Sequence, residues 1–321
     1  MKKCFKILLV LLLASIIGLF FLYRYLECNP IRIGGGGPSN PLPARCYAKE
    51  QEQQRKTQMA QLEQLAALEF TCKKEEIPPL SEETQQLYNY ALYHDLHNMW
   101  TGDKGDEVWN GLARYYRIAA ANGDYKANVR LQYLLNTGRI STDMPQTEVH
   151  NLNEELAKQL PATAYYNLYG YLDVGYGVRT EKDGKYAYLR KAADLGSREA
   201  QYTVAEMLAD IEDSEETQEA FKYRLALVEQ LRTCASEQGL GEASSNLGIS
   251  FQMDKKYPEA LKVFHQGVKN GDVISALNLS SGFSQKINKD DLNFLNLSPD
   301  EERSKRYDII RKYLSRNDYL Q

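Results

Sequence analysis

One short pattern of punctuation recurs along this chain, and it limits the fold more than any other feature. In 113–128 (ARYYRIAAANGDYKAN), 187–201 (AYLRKAADLGSREAQ) and 231–245 (LRTCASEQGLGEASS), a helical stretch ends in glycine and a small alanine follows four residues on. The pairs are Gly123/Ala127, Gly196/Ala200 and Gly239/Ala243, with a degraded copy, Gly271/Ser275, in 268–276. Between the first two copies, Leu160-Pro161-Ala162-Thr163-Ala164 stands in the matching place without the glycine. The small positions 127, 164, 200, 243 and 275 are then spaced by 37, 36, 43 and 32 residues. A near-constant period of this length belongs to stacked helix pairs, since one pair cannot bury its apolar face alone.

Glycine after a last helical turn takes the left-handed conformation without a Cβ penalty. Small residues such as Ala192, Ala193 and Ala200 let neighbouring helices approach closely, while Tyr188 and Leu189 fill wider gaps. The punctuation predicts helix pairs at 82–99/106–122, 125–136/145–159, 162–174/183–195, 198–209/215–237, 241–253/257–270 and 272–282/299–317. Ser298 is the predicted N-cap of the last helix, with Pro299 at its first position and Asp300, Glu301 and Glu302 against the positive dipole end. Strand signals are almost absent. The predicted fold is all-α, a right-handed α/α superhelical solenoid of about six helix pairs (TPR-like) over 81–321, closed by a C-terminal capping helix. Its 43% hydrophobic content suits a globular chain, and a net charge of −4 argues against a nucleic-acid partner.

The N-terminus reads differently. From Ile7 to Tyr23 there are 17 residues without a charge, a helix of roughly 25 Å that predicts one transmembrane anchor. Lys2, Lys3 and Lys6 precede it, so residues 1–6 stay in the cytoplasm and the rest crosses. The rivals are a cleaved signal peptide and a lipoprotein. No small-x-small site follows the apolar run, and Tyr25-Leu26-Glu27 before Cys28 is a poor lipobox, which favours an uncleaved anchor. Residues 24–46, rich in Gly and Pro, read as a flexible tether, and 47–80 as an N-terminal helix and connection. Of five cysteines, Cys4 falls on the cytoplasmic side, leaving Cys28, Cys46, Cys72 and Cys234 with three full pairings. A straight helix over 47–69 would hold Cys46 and Cys72 roughly 35–40 Å apart, too far to bond. The pairing is otherwise open.

At 164–201 the chain resembles the Sel-1-like repeat, through Ala164, Leu168, Gly175, Gly177, Val178, Lys185, Lys191, Ala192, Ala193, Gly196 and Ala200. The likeness extends over roughly 100–280, with two departures: the second pair lacks its glycine, and IEDSEET (211–217) replaces the Gly-x-Gly loop. The anchor, the leader NPIRIGGGGPSNPLPARCYAKEQ and the 113–128 block together resemble a subfamily of membrane-anchored bacterial Sel-1-like proteins encoded beside type VI secretion phospholipase effectors. That resemblance implies an immunity protein, single-pass in the inner membrane, which binds a phospholipase toxin in the periplasm.

No catalytic set is legible. His94 and His97 share a helix face but lack a third metal ligand, and TGDKGDE (101–107) lacks calcium-loop spacing. Neither a Gly-x-Ser-x-Gly elbow nor a His-x-Lys pair occurs, GGGG (34–37) has no phosphate-loop context, and EDSEETQE (212–219) reads as a solvated helix start. The chain therefore reads as a non-enzyme without cofactor or metal. Its 23 Tyr, against 9 Phe and 2 Trp, are the unusual entry. Tyr115, Tyr116, Tyr188 and Tyr202 suit repeat packing. Tyr88, Tyr90, Tyr93, Tyr165, Tyr166, Tyr169 and Tyr171, with Asp173, are the candidates for a protein-binding concave face, although Tyr165, Tyr166 and Tyr169 also suit packing. The leading expectation is toxin neutralisation by steric occlusion; the alternative is a periplasmic scaffold that assembles envelope enzymes or signalling components.

Overall fold

The computed structural model describes residues 52, 56, 70–101, 105–181, 183–212, 218–284 and 287–317. The predicted cytoplasmic end, anchor and tether lie outside these residues, as do nearly all of 47–69, the loop 102–104 and most of the acidic run after Glu212. No helix among the described residues is long and apolar enough to cross a membrane.

Among the described residues there are twelve helices and no strand: α1 (Glu82–Thr101), α2 (Gly105–Ala121), α3 (Tyr125–Asn136), α4 (Pro145–Ala157), α5 (Pro161–Val174), α6 (Lys185–Leu195), α7 (Arg198–Ala209), α8 (Gln218–Glu237), α9 (Gly241–Met253), α10 (Tyr257–Lys269), α11 (Val273–Gly282) and α12 (Glu301–Arg316). Each packs on its neighbours in sequence, so α1/α2 through α11/α12 form six stacked pairs. Apolar contacts concentrate in four clusters: one across α1 to α5 that includes Tyr116 and Leu131, one across α6 to α8, one around Phe264 and Leu279, and a small one of Leu156, Leu160 and Ala164 where α4 meets α5.

The turns explain the four-residue spacing. Gly196 closes α6 at φ +108°, the next residue, Ser197, is the N-cap of α7, and its Oγ accepts from the Ala200 N–H at 3.1 Å. The same device joins α2 to α3 through Gly123 and Asp124, whose carboxylate accepts from Ala127 N–H at 2.9 Å, and α10 to α11 through Gly271, Asp272 and Ser275. Gly239 also has φ > 0, but Leu240 after it offers no side-chain cap. Glycine, cap, two residues, small residue: the spacing is that of a left-handed turn followed by a helix N-terminus. Ala127, Ala200, Ala243 and Ser275 are all fully buried there.

Two positions move. Counting from the Leu160 cap of α5, Thr163 occupies the place of Ala127, and Ala164 falls one residue later, level with Asn128 and Gln201. At the last helix the N-cap is Asp300 rather than Ser298: its carboxylate accepts from Arg303 N–H at 3.0 Å, two residues further on than Pro299 suggested. In the α5–α6 loop, Gly175 caps α5 at φ +68°, and Gly177 lets the loop lie against α4, since a Cβ there would meet Gln146 Cβ at 2.9 Å.

Candidate interaction surface

The tyrosines divide by what their rings and hydroxyls touch. Tyr116 and Tyr171 are structural. Tyr116 is fully buried, and its hydroxyl donates to Asp95 Oδ2 at 2.7 Å. Asp95, also fully buried, accepts from Trp109 Nε1 at 2.9 Å and from Arg130 Nε and Nη2 at 2.7 and 2.8 Å. This node ties α1, α2 and α3 together, and burial, then the Asp95 charge, pushes the Tyr116 phenol well above its ordinary value. The Tyr171 hydroxyl donates to Gln132 Oε1 at 2.7 Å and Gln132 donates to Asn128 at 2.6 Å, so this ring joins the second and third pairs and presents little surface.

Tyr88, Tyr165, Tyr166 and Tyr169 are half-buried. Tyr88 lies 6.2 Å from the Tyr116 ring. Tyr165 accepts from Lys191 Nζ at 2.7 Å, Tyr166 stacks on Tyr169 and bonds Thr203 Oγ1 at 3.2 Å, and Tyr169 faces Tyr186. Exposed Asp173 pairs with Lys185 across the loop.

Of the candidate rings, the two left exposed are on α1; Tyr133, Tyr223 and Tyr313 are exposed singly on α3, α8 and α12. Tyr90 is 51% exposed and Tyr93 68%. His94 lies edge-on to both at 4.7 and 5.2 Å, Tyr93 stacks over His97, and Tyr90 meets Tyr115 at 5.2 Å. Arg114 extends the patch over the Tyr115 ring at 4.7 Å. Five rings and a guanidinium on two braced helices make a surface of low conformational entropy, the kind that anchors protein contacts. His94 and His97, singled out for their spacing, thus serve an aromatic patch, and among the described residues no group of three metal-binding side chains converges.

A second feature was not legible in the sequence. Residues 70–76 form an extended strap along the edge where each pair turns into the next. Cys72 bonds to Cys234 of α8, with Cα atoms 5.6 Å apart. The Lys73 carbonyl accepts from Gln201 Nε2 at 3.0 Å and Gln238 Nε2 at 3.4 Å. The Glu75 carboxylate reaches α5, accepting from Ala162 N–H at 2.6 Å, Thr163 N–H at 3.2 Å and Thr163 Oγ1 at 2.6 Å. This is the cap that α5 lacks from its own sequence. Gly196 makes room for the strap: a Cβ there would lie 2.6 Å from Glu75 N.

No curated protein matches the chain by sequence. A family model described as a domain of unknown function (DUF6396) matches residues 275–321. Three solved structures from Pseudomonas aeruginosa superpose over most of the molecule. Immunity protein Pa5087 does so with TM-score 0.55 and 23% identity, over 77% of this chain and 89% of that one. Immunity protein PA5088 gives TM-score 0.57 and 20% identity, over 78% and 88%. PA5086 gives 0.56 and 22%, over 77% and 89%. The chain shares their fold. Among the described residues it is a stack of helix pairs with an exposed aromatic patch on the first pair.

Proposed function

We propose that this chain is an immunity protein, anchored in the inner membrane with its solenoid in the periplasm, that binds a type VI secretion phospholipase effector and blocks it by steric occlusion. The fold shared with the Pa5087 and PA5088 immunity proteins carries this reading. Two observations agree with it. A disulfide between Cys72 and Cys234 suits an oxidising compartment, and the α1–α2 patch supplies rigid aromatic anchors of the type that dominate protein interfaces. The mechanism needs no turnover: the solenoid covers the toxin's substrate entrance, and affinity and residence time set the protection.

The test uses the full chain. Co-production with the phospholipase encoded by the adjacent gene, exported to the periplasm, should restore growth of a susceptible host. The purified chain in detergent should bring phospholipase activity to zero at a one-to-one molar ratio. Absence of binding, or growth arrest despite normal levels of the chain, refutes the proposal.

A further inference from the structure

The last helix turns outward a face that the solenoid does not use. On one side of α12, Tyr307 stacks on Phe283 with ring centroids 6.0 Å apart, the Ser304 hydroxyl donates to the Ser280 carbonyl at 2.8 Å, and Leu314 is buried. Those contacts fix the rotation of the helix. At about 100° per residue, the opposite side carries Lys305, Arg306, Ile309, Lys312, Tyr313 and Arg316, all exposed, with Glu302 among them and Asp308 at the edge. Ile309 is 66% and Tyr313 58% exposed, one above the other on the same stripe. Over its 16 residues α12 holds six Lys and Arg against three Asp and Glu, in a chain whose net charge is −4.

This face differs from the α1–α2 patch in what it offers a partner. Tyr90 and Tyr93 are braced by His94, His97 and Tyr115, whereas no ring meets Tyr313 among the described residues. Most polar groups on the stripe are cations on long stems. Glu302 pairs with Arg306, and Asp308 with Lys312 at 2.6 Å, but these pairs lie in water, where they are weak and give way to other anions. A fixed protein partner is held by preorganised anchors and directional bonds, and the stripe offers neither. An anionic bilayer needs only positive charge. Its headgroups rearrange around flexible Lys and Arg stems, while Tyr and Ile seat at the headgroup boundary.

We propose that the outer face of α12 docks flat on an anionic phospholipid surface, with Lys305, Arg306, Lys312 and Arg316 meeting the lipid phosphates and Ile309 and Tyr313 entering the headgroup layer. Each cation contributes about fivefold to the affinity, and about 24 Å of helix lies along the bilayer. The proposal takes nothing from the toxin reading. It holds with or without the anchor, since the charge and the exposed stripe belong to α12 itself.

The full chain, isotope-labelled at its isoleucine δ1 methyl groups, is combined with nanodiscs of phosphatidylcholine or of equal parts phosphatidylcholine and phosphatidylglycerol, both doped with a gadolinium-chelate lipid. Ile118 of α2, also exposed, is the internal reference. Paramagnetic relaxation at Ile309 should exceed that at Ile118 by at least about fivefold in the anionic discs and match it in the neutral ones. Raising the salt to about 0.5 M should remove the excess. Lys305→Gln with Lys312→Gln, both at exposed positions, should weaken docking about 25-fold and bring Ile309 level with Ile118, with a melting temperature within about 2 °C of wild type. No excess at Ile309 in the anionic discs, an equal excess in both lipids, or an excess that survives salt and the double substitution overturns the proposal. Absence of the excess together with loss of toxin inhibition in the double variant would make the stripe a protein-binding face instead. Docking by a chain that gives no toxin protection would remove the proposed function and keep the lipid face; protection by a chain whose Ile309 shows no excess would do the reverse.

Discussion

Replacing Glu75 by alanine tests whether the strap completes the solenoid or merely lies on it. The Leu160 cap of α5 has no side-chain hydrogen bond, so the carboxylate of Glu75 is the side-chain acceptor at that helix start. Its loss removes a cap, worth about 0.5–2 kcal/mol, and the favourable placement of an anion at a helix N-terminus, worth about 0.3–1 kcal/mol. The Ala162 N–H belongs to a fully buried residue, so part of the penalty of an unmade hydrogen bond is added. Together these come to about 2–3 kcal/mol. For a unit of this size each kcal/mol moves the melting temperature by about 2 °C, so Glu75→Ala should melt about 4–6 °C below the wild type, read by circular dichroism on the oxidised full chain. Glu75→Gln retains one carbonyl acceptor and should lose about half as much. Amide exchange at Ala162 and Thr163 should accelerate in both. A drop below about 1 °C with unchanged exchange would show that α5 satisfies its N-terminus from elsewhere, and the argument would fail.

The Cys72–Cys234 bond closes a loop of 162 residues in sequence separation, which the chain-entropy relation converts to about 5 kcal/mol as an upper figure; the Cys72→Ser/Cys234→Ser pair should lower the urea midpoint accordingly, and dithiothreitol should do the same to the wild type while leaving that variant unchanged. Asp95→Ala strands the Trp109 N–H, the Tyr116 hydroxyl and the Arg130 guanidinium in the first three helices, so a loss of about 3–5 kcal/mol is expected in denaturant melts, against about 1 kcal/mol for Tyr116→Phe. His265 has its pKa lowered by burial, then by Lys269 and Arg303, and its Nδ1 pairs with the Tyr307 hydroxyl at 2.8 Å. The unfolded chain therefore binds the extra proton first: this contribution to stability is complete above the ordinary histidine value and declines as pH falls through it, a slope that His265→Gln should flatten in melts between pH 5.5 and 7.5. Tyr90→Ala with Tyr93→Ala should weaken toxin binding by at least tenfold with a melting temperature within about 2 °C of wild type, measured by calorimetric titration.

The helix pairs were legible because their signal is local. A left-handed glycine and a small residue four positions on are both read within one turn, and every helix boundary predicted from them lies within three residues of the one observed. The role of the residue between them was missed: Asp124, Ser197 and Asp272 each follow the glycine and cap the next helix, and that regularity stood in the aligned copies. Long-range chemistry left no such trace. Asp95 gathers partners 14, 21 and 35 residues away, while the neighbouring His94 and His97 drew notice only by their spacing. The tyrosine run at 165–171 resisted assignment because each ring's environment depends on the next pair: Tyr171 finds Gln132 of α3, and Tyr166 finds Thr203 of α7.

A solenoid is close to one-dimensional, each repeat held only by its neighbours, so a defective turn is a natural place for the stack to part. The turn into α5 is such a place, with neither the glycine nor a capping side chain. Here the chain departs from nearest-neighbour logic. Glu75 supplies the missing cap from 87 residues away, and the same strap is bonded covalently to α8 through Cys72, so the third and fourth pairs are braced by one segment that belongs to neither. The brace also decides where load enters. In the proposed anchored arrangement, tension from the membrane side reaches Cys72 before it reaches α1, and passes into the middle of the solenoid through Cys234. The first pair, with Tyr90 and Tyr93 exposed on it, follows the clamp in sequence, and in that proposed arrangement load would bypass the surface a partner needs preorganised.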